Sequence, residues 1–126
     1  MAMAIKKILI ADDEPDVLSI LEKKLKQNNY EVLALSNGKQ VYEKACEFKP
    51  DLFILDIVMA DMDGYAVGLK LRSEESFKAT PIIYMTGKEL ATVGIQRRVS
   101  GLGFCDFIAK PATFEELLEK VKKAIP

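Results

Sequence analysis

The chain has 126 residues, of which 18 are basic and 19 acidic, and it contains no histidine. That length is typical of one domain with its own core, and a 49% share of hydrophobic residues is far above that of disordered chains. The balanced charge gives no broad positive surface for a nucleic-acid backbone. We therefore expect one domain over residues 1–126 that does not bind nucleic acid.

The sequence has no pattern typical of export or membrane insertion. Residues 1–6 lack the apolar core of a signal peptide, and no apolar run approaches the roughly 20 residues that a membrane-spanning helix needs. Cys46 and Cys105 lie in apolar patterns without metal-site spacing, so we expect two small buried side chains and no disulfide. These features favour a cytoplasmic protein without membrane contact.

The first half of the chain alternates apolar runs with helical patterns. Residues 5–11 and 31–35 are short apolar runs, typical of strands that are buried on both faces of a sheet. Residues 38–48 form a weak helical pattern. Residues 15–28 form a clearer one, which is expected to face the core through its stripe of Val17, Ile20, Leu21 and Leu25.

The second half continues this alternation. Apolar runs at 51–58, 81–85 and 104–109 predict three more strands. A helix is predicted at 88–101, although Gly94 interrupts the pattern. Another helix is predicted at 64–73, with a face formed by Tyr65, Leu69 and Arg72.

The last helix has the clearest signals, because Thr113 and Glu116 have the spacing of a capping box and an amphipathic face follows them. Strand and helix thus alternate five times. This order predicts an α/β fold, a doubly wound five-stranded parallel sheet with helices on both faces. In such sheets, ligands bind outside the carboxyl ends of the strands.

Polar residues lie at those strand ends: Asp12 and Asp13 after the first strand, Asp56 near the end of the third, Thr86 after the fourth and Lys110 after the fifth. Carboxylates that are held close together repel one another and attract a cation. Mg²⁺ suits them, because it binds a few carboxylate or carbonyl oxygens and completes its shell with water and phosphate. The pattern predicts a Mg²⁺ site that is open to a phosphoryl group.

Asp56 is the strongest candidate for a nucleophile. It is the one charge in the apolar run 52–58, where burying it without a function would be costly. An aspartate can form an acyl phosphate. Mg²⁺ and Lys110 would then offset the charge on the phosphoryl oxygens, and the Thr86 hydroxyl would donate to one of them.

Four motifs, in this order, resemble those of the receiver domains of two-component response regulators, and the resemblance covers essentially the whole chain. The resemblance implies a flavodoxin-like fold of the receiver type. It also implies a phosphorylation switch, not an enzyme, that takes its phosphoryl group from a sensor histidine kinase or a phosphotransfer protein. The motifs are ADDE at 11–14, LDIVMADMDG at 55–64, MTG at 85–87 and FIAKP at 107–111.

The resemblance assigns roles to the metal and phosphate residues. Asp56 matches the phosphorylated aspartate, and Asp13 matches the residue that binds Mg²⁺ directly. Asp12 matches one that binds it largely through water, and the carbonyl of Val58 completes the protein ligands. Lys110 matches the lysine that contacts the phosphoryl group.

It also implies how the signal spreads and how long it lasts. Thr86 and Phe107 match a switch pair that changes the surface formed by 88–101, the fifth strand and the last helix. Val58 and Lys88 match a pair of side chains that frames the approach of water to the acyl phosphate.

Three features depart from the family pattern. Ala60 stands where the family usually has proline, which we expect to loosen the turn without touching the chemistry. Ala112 replaces a common aromatic residue, and the stretch between Thr86 and Lys110 is slightly longer than usual.

Other interpretations compete with this one. Asp12 and Asp13 could cap the first helix, and Asp61 and Asp63 are expected to serve the turn before Gly64. A phosphatase resembling the haloacid dehalogenases would need a second Asp where this chain has Val58. An interaction module that never becomes phosphorylated would not require the polar strand-end residues. No output domain is visible in the sequence, so the downstream target stays unknown.

Overall fold

The computed structural model describes residues 4–87, 105–110 and 113–126. Its five strands form one parallel sheet in the order β2-β1-β3-β4-β5. The doubly wound five-stranded sheet predicted from the sequence is confirmed. The strands are β1 (Lys7–Ala11), β2 (Glu31–Leu35), β3 (Leu52–Asp56), β4 (Ile82–Gly87) and β5 (Cys105–Lys110).

Four α-helices and a short 3₁₀ turn, Glu75–Phe77, accompany the sheet in the described ranges. The expected helix at 88–101 lies outside those ranges. None of the helices that the structure describes is long and apolar enough to cross a membrane. The helices are α1 (Pro15–Gln27), α2 (Val41–Phe48), α3 (Gly64–Arg72) and the C-terminal helix (Phe114–Ala124).

The sheet is buried on both faces, as its apolar runs predict. Alternate residues of one strand enter different cores, because successive side chains of a strand point to opposite faces. In β3, Phe53 and Leu55 pack in a core with Val41 of α2 and Val67 of α3. Ile54 packs on the other face, in a core with Leu25 of α1 and with Leu117 and Val121 of the C-terminal helix.

Two of the expected helix faces are wrong in part. Ile20 is 54% exposed, because the face of α1 that packs on the sheet is formed by Leu18, Leu21 and Leu25. Leu69 is 46% exposed, because α3 turns Val67 and Leu71 inward. In each helix the inward residues recur every three or four positions. The residues of the predicted face have a similar spacing, so the spacing alone did not distinguish the two faces.

Two local expectations are also corrected. Cys46 is exposed, because α2 buries its neighbour Ala45 on the side that faces the sheet. Thr86 lies inside β4, since that strand continues to Gly87. The capping box is confirmed in its first half, because the Glu116 N–H donates to Thr113 Oγ1 at 3.1 Å.

Candidate phosphoacceptor site

Three carboxylates meet at the carboxyl ends of β1 and β3. These strands are neighbours in the sheet, with Ala11 paired to Leu55, so Asp12, Asp13 and Asp56 follow at the same edge. Each of the three offers one oxygen, and these oxygens lie within 4.8 Å of one another. Asp12 and Asp56 are buried, whereas Asp13 is half-buried. The predicted convergence of the three carboxylates is therefore present.

Lys110 joins this cluster from the end of β5. Its Nζ lies 2.8 Å from Asp12 Oδ2 and 3.0 Å from Asp56 Oδ2. It also lies 3.2 Å from Oε1 of Glu14, an exposed carboxylate to which the sequence analysis gave no role. The Lys110 ammonium group therefore contacts the carboxylates of Asp12, Glu14 and Asp56 at the edge of the sheet.

The burial of this cluster changes its proton affinities. Burial raises the pKa of Asp56 to about 6, although its hydrogen bond from Lys110 works in the opposite direction. The nearby charge of Asp12 raises it further. Burial alone would lower the pKa of Lys110, but its hydrogen bonds to Asp12 and Asp56 prevail and raise it. Lys110 is therefore cationic at neutral pH, and the carboxylates still carry an excess of negative charge.

Thr86 and Phe107 lie on the two strands that end beside this cluster. Thr86 is fully buried and pairs across the sheet with Ala109. Its Oγ1 makes no hydrogen bond within the described part of the chain. Phe107 is half-buried, lies opposite Tyr84 and packs against the core that contains Phe53. A buried hydroxyl that lacks a partner among the described residues is available to donate to an acceptor.

The loop after β3 is held by two carboxylates. The Ala60 N–H donates to Asp13 Oδ2 at 2.8 Å, so the backbone of Ala60 contacts the cluster. Asp61 accepts the Gly38 N–H at 2.9 Å and the Lys39 N–H at 3.0 Å, which ties this loop to the one before α2. Sequence reasoning missed the Ala60 contact because a backbone N–H carries no signal in the residue type.

Other aspartates have local roles. The Glu14 N–H donates to Asp12 Oδ1 at 2.9 Å, so Asp12 supports the start of α1 as well as the cluster. Asp63 caps α3 by accepting the Tyr65 N–H at 2.6 Å. The expected turn role of Asp63 is thus confirmed, whereas Asp61 connects two loops.

A cavity of about 830 Å³ opens beside the cluster. Asp13, Asp56 and Lys110 lie at its polar end, together with Val58, which is 55% exposed. Val17 and Phe114 contribute to its apolar walls. The cavity therefore adjoins two of the three carboxylates.

The chain matches the model of the response regulator receiver domain over residues 8–122. It is 32% identical, over 120 residues, to the alkaline phosphatase synthesis transcriptional regulatory protein PhoP of Bacillus subtilis (strain 168), covering 93% of this chain and 47% of PhoP. It is 36% identical, over 116 residues, to the transcriptional regulatory protein SrrA of Staphylococcus aureus (strain NCTC 8325 / PS 47), covering 92% of this chain and 46% of SrrA. The chain thus spans about half the length of these curated relatives.

Solved structures agree with this match. The response regulator TrrA of Thermotoga maritima, in complex with Mg(2+)-BeF, has 32% identity and a TM-score of 0.81, with 96% of this chain and 100% of TrrA covered. The chemotaxis response regulator CheY4 of Vibrio cholerae shares the fold at 24% identity, with a TM-score of 0.88 and 97% and 100% coverage. The chain therefore belongs to the response regulator receiver domain family of two-component systems.

Proposed function

We propose that this chain is a phosphorylation switch in which Asp56 accepts a phosphoryl group from a sensor histidine kinase or a phosphotransfer protein. The observation that carries this proposal is the set of contacts around Asp56, a buried carboxylate that lies 3.0 Å from the Lys110 ammonium and beside Asp12 and Asp13. Receiver domains are signalling switches, and the chain's family membership supports the same role here.

Mg²⁺ is the proposed cofactor, and the residues present fit it. Asp12, Asp13 and Asp56 offer three oxygens within 4.8 Å, and their excess negative charge favours a hard divalent cation. The carbonyl of Val58 is the fourth proposed protein ligand. When bound, the cation would neutralise negative charge on a phosphoryl group. Receiver domains bind Mg²⁺ at an acidic pocket of this kind, and TrrA was solved with Mg(2+)-BeF.

The chain's own residues would share the chemistry of transfer. An Asp56 Oδ attacks the phosphorus, an O–P bond forms, and the bond from phosphorus to the donor's leaving group breaks. Lys110 contacts Asp56 already and would stabilise charge on the transferred phosphoryl oxygens. The Thr86 hydroxyl, which has no partner within the described residues, would donate to one of those oxygens.

The output is a change of surface. When Thr86 moves toward the phosphoryl group, Phe107 would enter the space that the threonine leaves. The surface formed by β5 and the C-terminal helix would change with it, and the third part of the expected surface, 88–101, lies outside the described residues. We place the domain in the cytoplasm, without nucleic-acid or membrane contact of its own. Its downstream effector is unknown, although the relatives PhoP and SrrA are transcriptional regulatory proteins.

Two alternatives make different demands on the site. A haloacid-dehalogenase-like phosphatase needs a second Asp two positions after the nucleophile, where this chain has the exposed Val58. A receiver fold that only binds partners has no need for a buried Asp56 beside Lys110. The first alternative therefore lacks its second Asp, and the second leaves the buried charges without a function.

Intact-mass analysis tests the proposal. The wild type is incubated with a small-molecule phosphodonor, with Mg²⁺ or with EDTA. We expect one added phosphoryl group in Mg²⁺ only, and none in Asp56→Asn. Asp51→Asn is the matched control, because Asp51 precedes β3, at the end away from the cluster, and accepts the Lys7 N–H, so this variant should label like the wild type. Full labelling of Asp56→Asn would overturn the assignment of Asp56.

A further inference from the structure

The loop after β3 provides a backbone donor to one of the proposed metal ligands. The Ala60 N–H and Asp13 Oδ2 are 2.8 Å apart, although the two residues are separated by 47 positions in sequence. Hydrogen bonds from an N–H to a carboxylate are among the stronger ones in proteins. This hydrogen bond is possible because residue 60 is alanine; a proline at this position would have no N–H to donate.

The loop that carries the Ala60 N–H is also bonded to the loop before α2. Asp61, the next residue, accepts the N–H groups of Gly38 and Lys39. The hydrogen bond from the Gly38 N–H is the main cause that lowers the pKa of Asp61. The residue that follows Ala60 is therefore anchored to the loop before α2.

The direction of the effect follows from the charges. Asp13 lies close to Asp12 and Asp56, and three carboxylates in one cluster repel one another. Asp13 is half-buried and could turn toward solvent to escape this repulsion. A donor on Oδ2 opposes that rotation, and ordering a ligand before the cation arrives improves affinity.

We propose that the Ala60 peptide N–H is a positioning group for Mg²⁺, which holds the Asp13 carboxylate in the orientation that binds the cation. This inference rests on the Mg²⁺ site of the proposed function and concerns a residue that would not itself touch the cation.

Mg²⁺ titration of the wild type and of two Ala60 variants tests the proposal. Isothermal titration calorimetry and amide chemical shifts measure the binding. Ala60→Pro removes the N–H, whereas Ala60→Ser keeps it at an exposed position. We expect the Mg²⁺ Kd to rise roughly tenfold in Ala60→Pro, as is typical when the partner of a metal ligand is lost. Ala60→Ser should stay within about twofold of the wild type, since its donor is intact.

Equal Kd values for Ala60→Pro and the wild type would overturn this inference and leave the Mg²⁺ site intact. A wild type that binds no Mg²⁺ would instead overturn the metal site of the proposed function. If Ala60→Pro fails to fold, hydrogen exchange in the wild type decides. The Ala60 amide should exchange slowly in spite of its exposed position, and exchange at the rate of an unstructured peptide would overturn the proposal.

Discussion

Gly64 packs directly against the backbone of Asp56. A Cβ built on Gly64 would collide with the carbonyl oxygen of Asp56 and would come within 2.9 Å of its carbonyl carbon and of Ile57 Cα. The Gly64 N–H also donates to the carbonyl oxygen of Ile57 at 2.8 Å. The start of α3 therefore rests on the chain segment that carries the proposed phosphoacceptor, and only a residue without a side chain fits there.

We expect Gly64→Ala to lower the free energy of unfolding by about 2 to 3 kcal/mol, because the collision is with backbone that cannot rotate away. Urea denaturation provides the measurement. Gly38→Ala is the comparison, since its added Cβ would meet Met62 Cβ at 3.1 Å and, at 3.2 Å, both the flexible methyl of Met59 and the Met62 carbonyl oxygen. Its cost should be smaller. Equal costs for the two variants would contradict the close packing at Gly64.

The raised pKa of Asp56 predicts a pH-dependent gain in stability for Asp56→Asn. The pKa is about 6 in the folded chain against an ordinary 3.8, so the folded state binds more protons between these values. The contribution of Asp56 to the free energy of unfolding is therefore greatest below about pH 4, and it is lost as the pH rises through about 6. At pH 7.5 in EDTA, Asp56→Asn should be more stable than the wild type by on the order of 2 kcal/mol.

Thermal or urea unfolding between pH 4 and pH 8 should show this gap narrowing toward the acid end. Asp61→Asn is the control of opposite sign. Hydrogen bonding from Gly38 lowers the pKa of Asp61, so its charge stabilises the fold at neutral pH, and Asn should weaken it there. A gap for Asp56→Asn that stayed constant with pH would mean that ionisation of Asp56 is not its cause.

Thr86→Val should separate stability from signalling. Replacing a buried hydroxyl that lacks a partner within the described residues by a methyl group should stabilise the unphosphorylated protein by about 1 kcal/mol. The variant should still accept phosphate, but the amide shifts of 105–110 on phosphorylation should be largely lost. Thr86→Ser keeps the hydroxyl and should retain them. Identical shifts in Thr86→Val and the wild type would refute the proposed coupling to Phe107.

The lifetime of the phosphorylated state should depend on Val58. This side chain is 55% exposed and lines the cavity beside Asp56, and it can neither donate nor accept a hydrogen bond to an incoming water. Val58→Asn should speed dephosphorylation several-fold, equivalent to about 1 kcal/mol of barrier. The decay of phosphoprotein is followed after donor removal at fixed Mg²⁺, with Val58→Ile as an apolar control that should decay like the wild type. Decay of Val58→Asn at the wild-type rate, or more slowly, would contradict this role.

Lys88, the other side chain of the expected pair, lies outside the described residues.

The sequence predicted those site residues that residue type and strand position could reveal. Asp56 and Lys110 are charges at the ends of apolar runs, and parallel strands bring such ends to one edge. Contacts made by the backbone or by exposed side chains are not visible in the pattern of charged residues at the ends of apolar runs. The Ala60 N–H depends on the path of a loop, and Glu14 depends on the reach of Lys110.

The direction of a helix face was predicted less well than the helix itself. The pattern over 15–28 places Ile20 at helical spacing from Val17, and it places Leu18 at helical spacing from Leu21 and Leu25. Periodicity alone therefore does not fix the rotation of α1 about its axis. Packing on the sheet selects Leu18 and leaves Ile20 exposed. The limit is physical, because tertiary contacts decide between faces of nearly equal apolar content.

The central claim, that Asp56 carries the phosphoryl group, is tested most directly by locating the modification. Phosphorylated protein is reduced with borohydride, which converts an acyl phosphate of aspartate to homoserine, and is then digested with trypsin and sequenced by tandem mass spectrometry. The tryptic peptide 45–70 contains Asp51, Asp56, Asp61 and Asp63, so fragment ions must distinguish them. We expect homoserine at position 56 only, and only after treatment with donor and Mg²⁺. Homoserine at another aspartate, with position 56 unmodified, would contradict the account.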